Sequence, residues 1–451
     1  MTRARCCDNY TRSRLLRSAA AQAGKGLPQI EPGMPVPAGT GLTRRGFIAG
    51  AAGLALAVYA AGKTPLPLFE DGIAEAAQSD RIIVSIFLDG GADTLSLLAP
   101  VGHARYHELR PVLALAEGAG IPFTEDPSLH WHPSAAALAQ LHAEGKVTVF
   151  PAVGYDDPNQ SHFTSRHFWE VGDLDTEGRT GWMGRYLDLV GSQNNPLQGL
   201  SLSSSLAPAL ATKDKPVAAV EGVTDYDLWS WVGEPVSDEM FGSFRRMGSM
   251  KSNSPALRDS RRAIRSTNII RDRLASFGEF EAPVAYPEGA RLGQQLSGLA
   301  ALLGAGMPLR CVSVSADGSY DTHSAQAEEF ESGIKATADS ILAFQRDLEA
   351  RGLQDRVLTQ VWSEFGRRPE ENGSAGTDHG AAGVSLVIGS RASGKMVGEF
   401  PGLTDLDEDD NLRHTSDFRA MYCSLLEQWL GHDATPIIPG ASKFARPVLL
   451  K

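Results

Sequence analysis

A chain of 451 residues is far longer than one needs to bury a core, and it fits one large α/β domain or two ordinary ones. With 42% hydrophobic and 21% charged residues it has a globular composition, which excludes wholesale disorder and a polytopic membrane protein. A formal net charge of -12 leaves no basic surface of the kind that displaces counterions, so neither nucleic acid nor anionic lipid is an expected partner.

In chain order, the first feature is Thr43-Arg44-Arg45-Gly46-Phe47-Ile48, which runs directly into an apolar, alanine-rich stretch ending near Ala61. That stretch is too short and too rich in glycine for a membrane span and reads as the hydrophobic region of a twin-arginine signal. Residues 1–76 are therefore expected to be a disordered leading region plus the signal. Ala74-Glu75-Ala76 is the preferred cut and Ala55-Leu56-Ala57 an earlier one. The expected partner of this segment is the twin-arginine export machinery, and the expected location is the periplasm or the outside of a bacterial cell. Cys6 and Cys7 lie upstream of the signal, leaving Cys311 and Cys423, which read as small buried hydrophobes and not as a disulfide framework.

Residues 81–451 carry the fold. Arg81 to Leu88 is β-branched and nearly all apolar, the pattern of a strand covered on both faces, and it ends in Asp89-Gly90-Gly91. The spacing then predicts a helix over 134–142, a strand over 147–153, a helix over 292–303 and a strand over 309–315. A long amphipathic helix over 325–348, strands over 356–362 and 384–388 and a helix over 416–430 follow. Strands alternating with helices indicate an α/β fold, doubly wound, with a mostly parallel sheet flanked by helices. Residues 195–290, with Pro, Ser and Gly clusters and Trp229 and Trp231, are expected to form a partly helical cap or insertion.

Ligands of open α/β sheets bind beyond the carboxyl ends of the strands, and those positions are acidic and histidine-bearing here. They hold Asp89, then Asp321 and His323, then Glu364, and finally Asp378-His379 on a glycine-rich loop. Converging carboxylates repel unless a cation neutralises them, and carboxylate with imidazole suits zinc, manganese or iron. Such an ion polarises a phosphoryl or sulfuryl oxygen and activates water. Asp93 and Asp317 read as turn or helix-capping residues. Ser161 stands where a helix should begin, either as a nucleophile facing the helix N-terminus or as its cap. His162 beside it, and Arg367, whose guanidinium can fork onto an oxyanion, are expected to contact substrate. The acidic run 405–410 lacks the glycine turn of a calcium loop and reads as solvated.

These motifs together resemble a known family. Phe87-Leu88-Asp89-Gly90-Gly91-Ala92-Asp93, His132-Pro133, Ser161-His162-Phe163, Gly181-Trp182, Asp321-Thr322-His323, Ser363-Glu364-Phe365-Gly366-Arg367 and Gly376-Thr377-Asp378-His379-Gly380 are similar, in order, to the exported bacterial proteins called domain of unknown function 1501. That family lies in the alkaline-phosphatase-like (sulfatase-like) superfamily, and the resemblance runs over nearly everything after residue 43. It implies an alkaline-phosphatase-like fold with Asp89 as first metal ligand, Ser161 as nucleophile, and Asp321 with His323 as further ligands. Two alignments of the later ligands stay open. In one, Asp378-His379 is the superfamily's Asp-His pair. In the other, Glu364 and Phe365 stand where that pair usually stands and His379 replaces a more C-terminal histidine. The Asp321 to His323 spacing is tighter than the usual Asp-x-x-x-His, so one or two ions are expected, with zinc favoured over manganese, iron or calcium.

Two functions follow as expectations. One is a metal-dependent hydrolase of phosphate or sulfate esters acting on a small anionic substrate; the other is a ligand-binding or envelope-associated protein that keeps the fold without catalysis.

Overall fold

A computed structural model describes residues 56–59, for which only the backbone is considered, 81–193, 195–222, 236–252, 261, 264, 267, 268 and 281–451. The twin-arginine motif, the preferred cut at Ala74 to Ala76, and Trp229 and Trp231 lie outside the described residues.

The strands used below, in chain order, are β1 (Leu56–Tyr59), β2 (Ile82–Phe87), β3 (Val147–Gly154), β4 (Gly199–Leu202), β5 (Val217–Val220), β6 (Cys311–Ser315), β7 (Val357–Trp362), β8 (Arg367–Glu371), β9 (Thr377–His379), β10 (Gly383–Ile388) and β11 (Ser416–Asp417). The helices used below are α1 (Thr94–Leu97), α2 (Ala136–Ala143), α3 (His162–Val171), α4 (Trp182–Val190), α5 (Val236–Ser249), α6 (Arg291–Gly304), α7 (Gln326–Ala350) and α8 (Phe418–Ser424). Among the described residues no helix is long and apolar enough to cross a membrane.

The chain divides into two compact units. One is built from the described residues up to 82, within 174–282 and within 298–314. Its strands run in the order β1-β5-β4-β6, with β4 parallel to both β5 and β6 and β1 antiparallel on the edge. Residues 199–220, assigned to the cap, contain β4 and β5, whose four-residue apolar runs are too short to stand out among prolines and serines. Leu56–Tyr59, inside the apolar run read as a signal, forms β1 against β5.

The other unit, residues 83–173, 283–297 and 315–451, carries the chemistry. Its strands run β2-β7-β10-β3-β11. β2, β3, β7 and β10 are buried along their whole length, as near-continuous apolar strands require. The sheets are mostly parallel, with β10 as the reversed strand of this unit: it pairs antiparallel with both β7 and β3, so those two share a direction. The reversal was invisible in sequence because a strand buried on both faces carries no mark of its direction. One face holds an aromatic stack: Trp169 of α3 lies 5.3 Å from Trp362 and 4.7 Å from Phe418 of α8. Burying three such rings is a large part of what fastens α3 and α8 to the sheet.

Local sequence explains how the ends of these strands are shaped. Gly90 and Gly91, after β2, have φ of +122° and +74°, and a Cβ on Gly90 would stand 2.3 Å from the Asp321 nitrogen. Only glycine allows both that backbone and that approach. Asp93 caps α1 through Leu95 N at 3.2 Å and is bound by Arg110, while Asp317 accepts from Leu292 N at 3.0 Å at the start of α6. Both are the structural residues expected. Cys311 and Cys423 are buried free thiols.

Candidate metal centre

Four side chains converge in the second unit. The Nε2 atoms of His162 and His323 each lie 3.0 Å from Nε2 of His379. Asp321 Oδ1 is 3.3 Å from His162, 3.1 Å from His323 and 3.4 Å from His379. Ligands held about 2.0–2.1 Å from a tetrahedral zinc ion are separated by about 3.3 Å, so these spacings suit such an ion. His162, Asp321 and His379 each offer one ligand atom, all within 4.8 Å of one another.

The outer ring nitrogens determine what the inner ones present. His162 Nδ1 donates to Glu364 Oε1 at 2.8 Å, His323 Nδ1 to Asp378 Oδ1 at 3.2 Å, and His379 Nδ1 to the Gln160 carbonyl at 2.8 Å. A carboxylate or a carbonyl can only accept, so each Nδ1 carries the hydrogen and each neutral ring turns a bare Nε2 lone pair inward. Imidazoles fixed this way by carboxylates are characteristic of metal ligands. Three lone pairs and a carboxylate oxygen repel at these distances unless a proton or a cation stands among them. The donor set therefore fits a divalent ion.

Without an ion, a proton takes that role. Burial would lower the pKa of His162, but hydrogen bonds to Asp321 and Glu364 outweigh it and raise the value to about 9. His379 goes the other way: burial, with the positive His162 and Arg367 nearby, takes it down to about 4 against the pull of Asp321. Burial raises Asp321, yet its bonds to His162, His323 and His379 hold it well below the ordinary carboxylate range. Glu364 is likewise held low, its burial outweighed by the bond to His162.

The elements place these groups as follows. Glu364 follows β7, fully buried, and its carboxylate accepts from Gly90 N at 3.2 Å, Gly91 N at 3.1 Å and Ser363 Oγ at 3.0 Å besides His162. It thus clips the turn after β2 to the end of β7 and orients His162 from behind. Asp378 and His379 come from the β8–β9 hairpin, Asp321 and His323 from the loop that leads into α7. Side-chain exposure rises from 0% at His162 and Glu364 to 30% at His323 and 33% at Asp378, so the site opens to solvent on that side.

Of the residues singled out from sequence, Asp321, His323 and His379 meet at the shared point. Glu364 and Asp378, expected as ligands, face the outer nitrogens instead. His162, expected to touch substrate, contributes its Nε2 to the cluster; as the first residue of α3, directly after Ser161, it is positioned by the same strand-to-helix turn. The carboxylate of Asp89, at the end of β2, is 4.0 Å from Arg166. Arg367, expected to contact substrate, clamps the surrounding backbone: it donates to the carbonyls of Gly90, Gly91 at 2.8 Å, Thr377 at 2.9 Å and Tyr320 at 3.1 Å, and to Asp321 Oδ1 at 2.7 Å. Its Nη1 also reaches His323 Nε2 at 3.3 Å, consistent with a lone pair there. Ser161 is the N-cap residue of α3, but its hydroxyl makes no capping bond.

No curated protein matches the chain. Similar solved structures include one described as Ps i-CgsB, at 10% identity and a TM-score of 0.36, covering 82% of this chain and 75% of the other. The C-terminal periplasmic domain of EcEptC from Escherichia coli matches at 8% identity and TM-score 0.35, covering 81% and 88%. The PsFucS1 sulfatase from Pseudoalteromonas sp. matches at 11% and 0.31, covering 80% and 72%. At these scores the likenesses carry nothing about chemistry. The family is a different matter, since one family model spans well over half of the chain and includes every residue of the cluster: over residues 151–428 the chain belongs to the family described as "Protein of unknown function (DUF1501)".

Proposed function

We propose that the protein is exported by the twin-arginine route and acts outside the cytoplasm as a metal-dependent hydrolase of phosphate or sulfate esters. The observation that supports this most is the inward set of three imidazole Nε2 atoms and Asp321 Oδ1, each ring held from behind by an acceptor. His162, Asp321 and His379 would hold the ion, zinc by preference for a nitrogen-rich set, with His323 as a fourth donor. Such an ion supplies Lewis acidity at the ester oxygen.

The remaining groups divide the work. Ser161, at the N-terminus of α3, is the hydroxyl best placed to attack, because the helix's first N–H groups and its dipole favour the anion formed there. Glu364 keeps His162 in the tautomer that faces the ion, and Arg367 holds Asp321 in place. Asp378 and Asn372 steady the His323 side, where substrate would enter.

A second reading has an observation of its own. If His323 completes the set, four protein donors close the coordination of zinc, as in structural sites, and the protein binds without turning over. The contact from Arg367 to His323 favours the open, three-donor state.

Both readings are separated by assaying aryl phosphates and aryl sulfates with zinc-loaded full-length chain. The hydrolase reading expects turnover that falls about a thousandfold or more in Ser161→Ala while metal content is kept. Metal-replete protein that turns over neither ester class, with the same behaviour in Ser161→Ala, would favour the closed site.

A further inference from the structure

Behind the cluster lies a buried polar chain centred on a residue that neither the sequence motifs nor the proposed chemistry uses. Gln326, the first residue of α7, is 1% exposed. Its Oε1 accepts from Thr322 Oγ1 at 2.9 Å and from Thr377 Oγ1 at 2.5 Å. Its Nε2 donates to Asp93 Oδ2 at 2.5 Å and to Ser96 Oγ at 3.1 Å. Asp93 is in turn gripped by Arg110, whose Nη2 donates to Asp93 Oδ1 at 2.9 Å and to the Arg368 carbonyl at 3.0 Å and whose Nε donates to the Pro369 carbonyl at 2.8 Å.

The positions of the two threonines give this chain its meaning. Thr322 stands between Asp321 and His323, and Thr377 directly precedes Asp378 and His379. One amide oxygen therefore joins the two segments that deliver three of the four converging atoms. The backbone is stitched at the same place: Thr377 N donates to Thr322 O at 3.0 Å, Ala325 N to Ser374 O at 3.0 Å and Gln326 N to Ala375 O at 2.9 Å. Ala325 and Ala375 both hold positive φ, 45° and 50°, a conformation that costs an alanine energy and persists only where its surroundings impose it.

We infer that Gln326 is a positioning residue of the metal centre, setting the separation of the Asp321–His323 and Asp378–His379 segments through Thr322 and Thr377 and anchored by Asp93 and Arg110. This rests on the metal-centre reading above. A single amide suits the task because it accepts from two hydroxyls on one side while donating to a carboxylate on the other, and neither glutamate nor leucine can do both.

The test compares full-length wild type, Gln326→Leu, Thr322→Val with Thr377→Val, and Thr322→Ser with Thr377→Ser. Tyr286→Phe serves as a control that loses a part-buried hydrogen bond, to Asp347 at 3.0 Å, near the far end of α7. Zinc affinity and the visible spectrum of the cobalt-substituted protein report the centre; thermal melting reports the fold. Gln326→Leu and the double valine variant are expected to bind zinc about tenfold more weakly, with an altered cobalt spectrum. The double serine variant keeps wild-type values, and Tyr286→Phe loses thermal stability with neither metal readout changed. Unchanged affinity and spectrum in Gln326→Leu would overturn the inference. Should wild type bind no metal, the metal reading fails by itself, and crystal structures of wild type and Gln326→Leu decide the tie: a widened His323 to His379 separation upholds it and an unmoved pair overturns it.

Discussion

Glu364→Ala is expected to destabilise the folded protein by about 3–5 kcal/mol, because it removes one buried charge that four donors share. Those donors are the His162 ring, the Gly90 and Gly91 amides and the Ser363 hydroxyl; the hydroxyl keeps the Leu88 carbonyl at 2.7 Å as an acceptor, while the buried ring and amides lose theirs. The turn after β2 would also lose its clip to the end of β7. Glu364→Gln keeps the shape and one acceptor oxygen, so the expected loss is smaller in stability and about 10–100-fold in metal affinity, the usual cost of disturbing a group behind a ligand. Urea unfolding followed by the fluorescence of the stacked Trp169 and Trp362 measures the first; a wild-type midpoint in Glu364→Ala would contradict the role assigned to Glu364.

His379→Ala is expected to lower zinc affinity by more than a hundredfold. A structural zinc site of four ligands is worth about 10–16 kcal/mol in binding, so each ligand's share is about 3 kcal/mol or more. The pH dependence carries the same information from the other side. His162, with its pKa near 9, holds a proton at neutral pH where the ion must sit, whereas His379, near 4, is already bare. Zinc binding should therefore release one proton from His162 and strengthen about tenfold per pH unit from about 6.5 to 9, then level off. The same group acts on the metal-free fold. A histidine raised above its ordinary value contributes stability that is full below about 6.5 and is lost as the pH climbs through 9. Metal-free protein should thus melt lower at pH 9 than at pH 6.5 on this account, and zinc should remove the difference. Titrations at several pH values, with a competing chelator of known affinity, read the slope; a flat profile would contradict the proton carried by His162.

Much of this was legible in the sequence, for identifiable reasons. Strands buried on both faces announce themselves by apolar continuity, and β2, β3, β6, β7 and β10 fall within about two residues of their expected bounds. The long helix over 325–348 appears as α7, and the helix over 416–430 as α8 followed by a π-helical turn over Leu425–Trp429. The strand-end rule brought Asp321, His323, Glu364, Asp378 and His379 to one neighbourhood. What the sequence could not show is which nitrogen of a histidine faces inward. That depends on the acceptor behind the ring, so Glu364 and Asp378 were read as ligands and His162 as a substrate contact. The partners of Arg367 were hidden for a related reason: sequence alone does not show that the carbonyls of Gly90, Gly91, Tyr320 and Thr377 gather around its guanidinium. Gln326 gave no signal, since a glutamine at the head of an amphipathic helix looks like any other.

The most direct test of the metal centre is elemental analysis of the folded full-length protein, purified without chelator and compared with His379→Ala. One equivalent of zinc, or of manganese or iron, in the wild type and its loss in the variant is the expected result. Well-folded wild type that holds no metal even after reconstitution at pH 8 would contradict the convergence of His162, Asp321, His323 and His379 on an ion.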